Sequence, residues 1–421
     1  MRFAALKVRH YKGYLVGGSL AMGGDHIEHA LSYLVMWQLF HSPLLAGFAV
    51  VSHWLPHLFF GVWLGGLAER VDCRRMIQVA QGMFMLASIL WGVLILTGTL
   101  QAWMCVLLLL LHGFASAIWN PADQLMLYDI AGPKDLPSAV RLMATGLNLG
   151  MLVGPAFAAL LLATVGPGWG MFINLIFYVP FLFVLVAVPA TGHSRGEKRA
   201  TSRVRLRDVP SVLREVRQYP AILVVTVLQA AVGLFVGVAL LPLLPEFGEA
   251  LGTSDFTYGL LLIAMATGAV IGGISLESIG RMHANARIAI VATMVFAACI
   301  LVFAFSRDLG LTLGVLVLAG IANLVSASTS QTIVQLEAPP ERRGRFVGAY
   351  GMMSLGFRAG SGILMGGLGV LIGVTGAVAI NAAALFIVAT TLLFIVVIAR
   401  RKRPDFDPDE IAVLDEETAA G

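Results

Sequence analysis

The chain has 421 residues, of which 58% are hydrophobic and only 12% are charged. Soluble domains carry about 25% charged residues, so this composition excludes a soluble multidomain protein and indicates a polytopic α-helical membrane protein. The net charge of +4 comes from basic residues in short loops, so it does not indicate nucleic-acid binding. The three cysteines, Cys73, Cys105 and Cys299, form no pattern typical of a disulfide framework.

Twelve apolar blocks follow one another, and each is long enough to cross about 30 Å of hydrocarbon as a helix. The first six predicted spans are 11–39, 44–68, 75–98, 102–126, 137–164 and 168–190, and the second six are 220–246, 256–279, 286–306, 310–336, 344–371 and 375–399. The sequence therefore predicts an N-terminal six-helix bundle in residues 1–190, a basic cytoplasmic linker in 191–219, a C-terminal six-helix bundle in 220–400 and a cytoplasmic tail in 401–421.

Lysine and arginine are concentrated in alternate loops, and cytoplasmic loops of membrane proteins carry this excess. The basic loops contain Arg70, Arg74 and Arg75, the central linker, Arg281 and Arg287, Arg342, Arg343 and Arg345, and the residues from Arg400 onward. The loops between them carry almost no charge. Both termini and the linker are therefore expected in the cytoplasm.

Six spans, a cytoplasmic linker and six more spans are the layout of a two-half secondary transporter, which binds its substrate near the midplane between the halves. A weak internal repeat supports two related halves. The segment "GGLAERVDCRR" (65–75) follows span 2, and "GGISLESIGR" (272–281) follows span 8, the matching place in the second half.

The segment "GGLAERVDCRR" resembles the signature loop of the major facilitator superfamily, with Glu69 and Asp72 replacing the usual Asp and Gly. The stretches "NPADQLMLYDIAGPKDLPSAVRL" and "RRGRFVGAYGM" are similar to its bacterial drug and siderophore exporter branch, which includes the enterobactin exporter. The stretch "GLNLGMLVGPAF" (146–157) resembles the span 5 motif of the superfamily's antiporters. The resemblance implies an all-α protein with twelve transmembrane helices in two pseudo-symmetric six-helix bundles, located in the bacterial inner membrane.

Conformational change is the role that the resemblance implies for these motifs. The glycines recur every four residues on one helix face, which permits close helix packing, and the proline introduces a bend. The residues expected to gate the transporter are Gly65, Glu69, Arg70, Arg74, Arg75, Gly146, Gly150, Gly154, Pro155, Glu277 and Arg281. Packing or membrane orientation without a gating role remains the alternative for the glycines and for Arg74 and Arg75.

The segment "GDHIEHALSYL" (23–33) places four ionisable residues in the middle of span 1. A rise of about 1.5 Å per residue puts Asp25 and His26 roughly 20 Å into the membrane from Lys12. Asp25, Glu28 and His29 share one helix face, and His26 is rotated away from it. Ionisable residues at this depth face the protein interior or a water-filled cavity, so we expect this segment to line a central cavity.

Three interpretations of this cluster stay open. In the first, Asp25 or Glu28 carries a proton, with His26 and His29 titrating nearby. In the second, a divalent metal binds to a set of side chains drawn from spans 1 and 2, namely His26, Glu28, His29, His53 and His57. In the third, these side chains make structural hydrogen bonds between helices.

Further polar side chains at similar depth are candidates for substrate binding. Arg358 lies about 15 residues into span 11, and its permanent charge requires a carboxylate, carbonyl groups, water or an anionic substrate. A polar stripe on span 10 could supply hydrogen bonds. The candidate substrate-binding residues are Arg358, Asn323, Ser326, Ser330, Gln331, His53, His57 and His112.

The sequence therefore predicts a transporter that exports an amphiphilic organic small molecule, such as a siderophore or a drug, in exchange for protons. We expect a monomer in contact with lipid, with no cofactor other than the proton gradient and no nucleic-acid partner. The sequence contains no nucleotide-binding motif and no nucleophile–base pair that would indicate an enzyme. The alternatives are a divalent-metal exporter, a lysolipid carrier without proton coupling and a transporter-like sensor.

Overall fold

The computed structural model describes residues 3–40, 43–193, 208–237, 240, 247, 251, 255–279 and 284–402. Within these ranges the regular structure is helical, which confirms the predicted all-α fold class. Residues 194–207 of the predicted linker and nearly all of the predicted tail lie outside the described residues, and so does Arg281.

Five helices form the first half: α1 (Tyr11–Phe40), α2 (Pro43–Ala68), α3 (Cys73–Leu96), α4 (Ala102–Thr164) and α5 (Gly166–Ala187). Helix α4 contains predicted spans 4 and 5, which are separated by a break at Gly132. Gly132 has φ 72° and ψ 165°, a conformation that glycine adopts without steric cost, and Pro133 follows it. The break divides α4 into a first part and a second part.

Seven helices are described in the second half: α6 (Val209–Val216), α7 (Pro220–Phe235), α8 (Asp255–Ile279), α9 (Ala286–Phe305), α10 (Leu309–Glu337), α11 (Arg343–Gly351) and α12 (Arg358–Lys402). A π-helical turn, Met352–Gly356, joins α11 to α12. Predicted span 11 consists of α11, this turn and the first part of α12. Helix α12 is broken at Gly373, where predicted span 11 gives way to span 12.

Six helices among the described residues are long and apolar enough to cross a membrane, and the bent pair α6 and α7 would make a seventh. Helix α4 counts once in this number although its break divides it into two predicted spans. Large apolar side chains project outward from the bundles, among them Ile176, Phe183 and Val186 of α5, each at least 66% exposed. Such a surface is suited to lipid rather than to water.

The two halves meet along two seams. In the first seam, α2 packs against α11 and the π turn, and in the second seam, the second part of α4 packs against α8. Both seams depend on glycine, because a Cβ on Gly65 would clash with the Gly344 carbonyl and a Cβ on Gly273 would clash with the Thr145 hydroxyl. The end of the molecule where Glu69 and Arg345 lie is called the basic end below.

Candidate functional site

The centre of the first half contains a chain of three buried ionisable side chains, which we call the acid–histidine trio. Asp25 and Glu28 belong to α1, and His112 belongs to the first part of α4. The His112 Nε2 atom lies 2.7 Å from Asp25 Oδ1, and its Nδ1 atom lies 2.8 Å from Glu28 Oε1. All three residues are at most 4% exposed. A single imidazole therefore links two carboxyl groups away from water.

The two contacts of His112 determine how many protons the trio holds. Each nitrogen–oxygen contact requires one hydrogen atom between the two groups. Two protons satisfy both contacts, either as an imidazolium between two carboxylates or as a neutral imidazole beside one protonated carboxyl group. If one proton is removed, a nitrogen lone pair faces a carboxylate. If a third proton is added, the trio holds more protons than its two contacts can share. The trio can thus store a proton and register its arrival by rearranging hydrogen bonds.

Neighbouring helices hold the trio in place. The Ser88 hydroxyl of α3 donates to Glu28 Oε2, and the Asn174 amide of α5 donates to Ser88 Oγ over 3.2 Å. The remaining Asp25 oxygen, Oδ2, lies 3.3 Å from His29 Nδ1 and 3.4 Å from His26 Nδ1. Glu28 is therefore directed into the interior of the first bundle. The expectation that the whole segment lines a cavity between the halves does not describe Asp25 and Glu28, whose described partners all belong to the first half.

A group of three histidines shares His112 with the trio. One nitrogen from each of His29, His53 and His112 lies within 4.8 Å of the other two, and the Nδ1 atom of His53 is buried without a hydrogen-bond partner. Imidazole nitrogens suit divalent transition metals. This group differs from the predicted metal set, because His112 joins it whereas His26, Glu28 and His57 do not. Both His112 nitrogens face carboxylates, so metal binding would cost one of those hydrogen bonds.

Two of the four predicted polar residues on α10, Ser326 and Ser330, face the interior of their own bundle. The Gln229 amide of α7 donates to Ser326 Oγ over 2.8 Å, and Ser330 Oγ lies 3.3 Å from the same nitrogen. Thr293 of α9 also bonds to Ser326. Both serines are fully buried. They hold the second bundle together in this structure, whereas Asn323 and Gln331 are only partly buried.

Arg358 lies at the first seam, where α12 begins. Its Cζ atom is 4.8 Å from the centre of the Trp54 ring on α2, which is a cation–π contact across the two halves. His57, one turn further along α2, is 2% exposed and both of its ring nitrogens are buried without hydrogen-bond partners. Of the predicted substrate residues, Arg358 and His57 are thus the pair that the structure leaves with unused polar groups at the seam.

Two of the predicted gating residues, Glu69 and Glu277, form ion pairs between the halves at the basic end. Glu69 accepts hydrogen bonds from the Arg345 amide over 2.7 Å and from its guanidinium over 2.8 Å. Glu277 pairs with Arg141 at 2.9 Å and accepts a hydrogen bond from Ser138. Burial raises the pKa of Glu69 to about 7, against the lowering effect of Arg345.

The basic residues after Glu69 do not all take part in these pairs. Arg74 pairs with Asp72, within its own loop, at 2.7 Å, and the Nε atom of Arg70 is buried without a partner. Arg75 makes no described ion pair. Among the residues that the structure describes, Glu69 is therefore the member of this loop that pairs with the second half.

The glycine stripe of α4 packs against α1. A Cβ on Gly150 would lie 2.6 Å from the Ser19 carbonyl oxygen, and one on Gly154 would lie 2.7 Å from the Cβ of His26. Gly146 faces the Ser19 side chain in the same way. The stripe that precedes Pro155 therefore permits close approach of the helix that carries the acid–histidine trio.

Comparison with known proteins agrees with this architecture. The family described as "Transmembrane secretion effector", within the major facilitator superfamily, matches residues 3–413. The chain belongs to this family. It is 25% identical to the enterobactin exporter EntS of Shigella boydii over 375 residues, which is 87% of this chain and 85% of that protein. It is 23% identical to the multidrug efflux pump Tap of Mycolicibacterium fortuitum over 77% of this chain and 80% of that protein.

Another relative and two solved structures extend the comparison. The staphyloferrin A transporter of Staphylococcus aureus is 24% identical over 151 residues, so the match spans 38% of that protein. The human organic anion transporter MFSD10 superposes with a TM-score of 0.72 at 15% identity, over 91% of this chain and 99% of that one. A bacterial homologue of the iron transporter ferroportin, in an outward-facing state, gives 0.68 at 16% identity over 94% and 100%. These similarities confirm the fold.

Membership of this family establishes the general class of the protein. The chain is a multi-pass membrane protein and an exporter-like transport protein, not an enzyme. Several residues of the site were missed by the sequence analysis: Trp54, Ser88, Arg141, Asn174, Gln229 and Thr293. The available signal was an isolated polar or aromatic residue inside an apolar helix, as with Ser88 in "MLASILW" and Asn174 in "FINLIF".

Proposed function

We propose that this protein exports an amphiphilic organic small molecule, such as a siderophore or a drug, in exchange for protons. The acid–histidine trio is the observation that carries this proposal, because a buried imidazole between two carboxyl groups can hold and release protons inside the membrane. The enterobactin and multidrug exporters among the relatives supply the substrate class. The proton gradient is the energy source, and no cofactor is required.

The proposed location is the bacterial inner membrane, with both termini in the cytoplasm. The excess of lysine and arginine at the basic end supports this orientation. The two ion pairs then lie on the cytoplasmic side and close it, so that the described conformation would open toward the outside. The working unit is a monomer surrounded by lipid, and its other partner is the transported molecule.

The proposed mechanism couples the trio to movement of α1. An additional proton that enters from outside gives the trio three protons for the two contacts of His112, so one of these contacts breaks. Helix α1 carries both carboxyl groups and lies directly against the glycine stripe of α4, so a change in these contacts shifts α1 against α4. The ion pairs at the basic end then open, and the proton leaves to the cytoplasm as the trio returns to two protons.

Transport in proteoliposomes tests the coupling. Purified protein is reconstituted with an imposed pH gradient, and movement of the fluorescent cation ethidium and of a radiolabelled catecholate is followed. We expect transport to follow the gradient and to lose its pH dependence in Asp25→Asn combined with Glu28→Gln. Asp123→Asn is the matched control, since Asp123 is another acid of the first bundle that accepts a hydrogen bond from Tyr14.

Four results would overturn this proposal. Transport that is unchanged when the gradient is collapsed would exclude proton coupling, and so would an unaltered pH dependence in the double variant. Gradient-independent movement of a fluorescent lysolipid, without movement of the other probes, would favour the lysolipid carrier. Absence of movement for every probe would favour a sensor.

A divalent-metal exporter is the second candidate, because His29, His53 and His112 form a compact group of imidazoles. It is less well supported, since His112 is already bonded to two carboxyl groups. Thermal unfolding with Zn²⁺ or Mn²⁺ distinguishes the candidates. Stabilisation that disappears in His29→Ala and His53→Ala but persists in His26→Ala would favour metal export, whereas no stabilisation in the parent protein would exclude it.

A further inference from the structure

Arg358 carries a charge that the described protein does not neutralise. Among the described residues, no carboxylate forms an ion pair with its guanidinium and no acceptor receives a hydrogen bond from it. Its cation–π contact with the Trp54 ring at 4.8 Å contributes a small stabilisation. An arginine at membrane depth costs more than this, and it stays charged. The guanidinium therefore retains unused capacity for an anion.

His57 supplies a second unsatisfied group on the facing helix. Both of its ring nitrogens are buried without partners, and its side chain is almost fully enclosed. The centroid of its ring lies 6.0 Å from that of Trp54, the ring that Arg358 contacts. A neutral imidazole is satisfied by one donor and one acceptor, so a hydroxyl group on a ligand would fit it.

The position of Arg358 along the first seam determines where such a ligand would sit. Toward the basic end the seam is closed by glycine contacts, since a Cβ on Gly61 would lie 2.8 Å from the Gly348 carbonyl and one on Gly356 would lie 2.6 Å from the Leu58 Cα. Arg358 follows this closed region and is itself only partly buried. Arg358 therefore follows the closely packed part of the seam, on the side away from the basic end.

The local backbone supports a specialised role for this place. The π turn Met352–Gly356 ends immediately before Phe357 and Arg358. A π-helical turn inserts one extra residue into the helix and rotates everything that follows it, and such turns occur frequently at functional sites. The turn packs against α2 and α7. It therefore sets the direction from which Arg358 meets the Trp54 ring.

We propose that Arg358, Trp54 and His57 form a subsite for an organic carboxylate with a neighbouring hydroxyl group. The guanidinium binds the carboxylate with paired hydrogen bonds and lies over the face of the Trp54 ring. His57 forms a hydrogen bond with the hydroxyl group. This inference rests on the proposed export of an organic molecule and names the substrate class of the site. Because Trp54 and His57 belong to one half and Arg358 to the other, a bound ligand would contact both halves and alter their packing at the first seam.

Equilibrium binding of radiolabelled salicylate to the detergent-purified full chain tests the subsite, without any gradient. We expect saturable binding to the parent protein, weaker binding of benzoate, which lacks the hydroxyl, and of salicylamide, which lacks the charge. Arg358→Gln should weaken salicylate binding at least about tenfold, as expected for the loss of a charged hydrogen-bonding partner. Arg358→Lys should restore part of the affinity.

Controls separate the subsite from folding and from the proton mechanism. Arg307→Gln changes an arginine whose guanidinium bonds to the adjacent Ser306 carbonyl, and it should bind salicylate like the parent. His57→Ala should abolish the preference for salicylate over benzoate while retaining dependence on charge. Each variant must remain monodisperse and unfold at a temperature close to that of the parent.

Equal salicylate binding by the parent protein and Arg358→Gln would overturn the subsite, and so would the absence of binding by the parent at millimolar concentration. Because no gradient is present, these outcomes are independent of proton coupling. Gradient-driven export of ethidium with no binding of carboxylates would leave the proposed function intact and exclude this subsite. Salicylate binding without coupled export would support the subsite and exclude the coupling.

Discussion

The acid–histidine trio is a set of side chains in which each member depends on the others. His112 satisfies one oxygen from Asp25 and one from Glu28, and Ser88 satisfies a further Glu28 oxygen. Buried charges in a medium of low dielectric constant are tolerated only when they are paired and hydrogen-bonded. The trio is therefore both a structural element of the first bundle and the feature that can respond to a proton.

Replacement of His112 tests this mutual dependence. His112→Ala leaves two buried carboxyl groups close together without their shared partner, and we expect a loss of stability of about 3–5 kcal/mol. Thermal unfolding in detergent, measured by intrinsic fluorescence, would report it. In the Asp25→Asn and Glu28→Gln background the same replacement should cost much less. An equal loss in both backgrounds would mean that His112 stabilises by packing alone.

At the level of helices, the close contact between α1 and the second part of α4 is what links the trio to the rest of the molecule. The glycine stripe places the α4 backbone against the Ser19–Gly23 segment and against His26. Van der Waals packing between helix backbones is the main source of association inside a membrane. A helix pair packed in this way can slide, but it cannot accommodate added volume.

Gly154→Ala tests the importance of this contact. The added Cβ would lie 2.7 Å from the His26 Cβ and 2.9 Å from the Gly23 carbonyl oxygen, so α1 must move away. We expect gradient-driven ethidium transport to fall several-fold and the unfolding temperature to drop. Gly82→Ala on α3 is the control, because its Cβ would meet nothing within 4 Å. Parent-like transport by Gly154→Ala would show that the contact has room to adjust.

At the scale of the whole molecule, the two ion pairs occupy matching positions in the two halves. Glu69 follows Gly65 by four residues, and Glu277 follows Gly273 by the same interval. Each acid pairs with an arginine near the start of the helical segment that opposes it. Glu69 pairs with Arg345 on α11, and Glu277 pairs with Arg141 on the second part of α4. The internal repeat thus produces two equivalent closures at the basic end.

Closure of the basic end should depend on pH through Glu69. In the closed structure burial raises its pKa to about 7 from 4.5, despite Arg345 and Arg342. Opening exposes Glu69 and returns its pKa to the ordinary value. Closure therefore takes up a proton between these two values, so the closed state is favoured at low pH and is lost as the pH rises through about 7. The ratio of open to closed molecules should change by at least about tenfold.

Maleimide labelling measures this opening. Thr329→Cys places a thiol in the crevice between Arg141 and Ser328, at the seam between the halves, in a background with Cys73, Cys105 and Cys299 replaced by serine. Maleimide reacts with the thiolate, so the labelling rate at each pH is divided by the rate for the same thiol in the denatured protein. This ratio should increase from pH 5 to pH 7.5, and Glu69→Gln should abolish the increase. Glu277→Gln should raise labelling at every pH while keeping the slope. An unchanged slope in Glu69→Gln would assign the pH response to another group.

The sequence by itself determined which residues are exceptional. Apolar blocks and basic loops predicted the membrane fold, because hydrocarbon thickness and charge placement constrain every span in the same way. The spacing of Asp25, Glu28 and His29 placed them on one face, and the depth of Arg358 marked it as a charge in need of a partner. The four-residue period of the glycines identified the closely packed face of α4.

Only the tertiary structure decided what those residues contact. Periodicity gives a helix face but not the helix that opposes it, and His112 meets Asp25 across 87 positions of the chain. The same limit explains why Ser326 and Ser330, expected at a substrate site, instead bond to Gln229 within their own bundle. Trp54 could not be assigned to Arg358 from sequence, because their contact forms only where the two halves pack together.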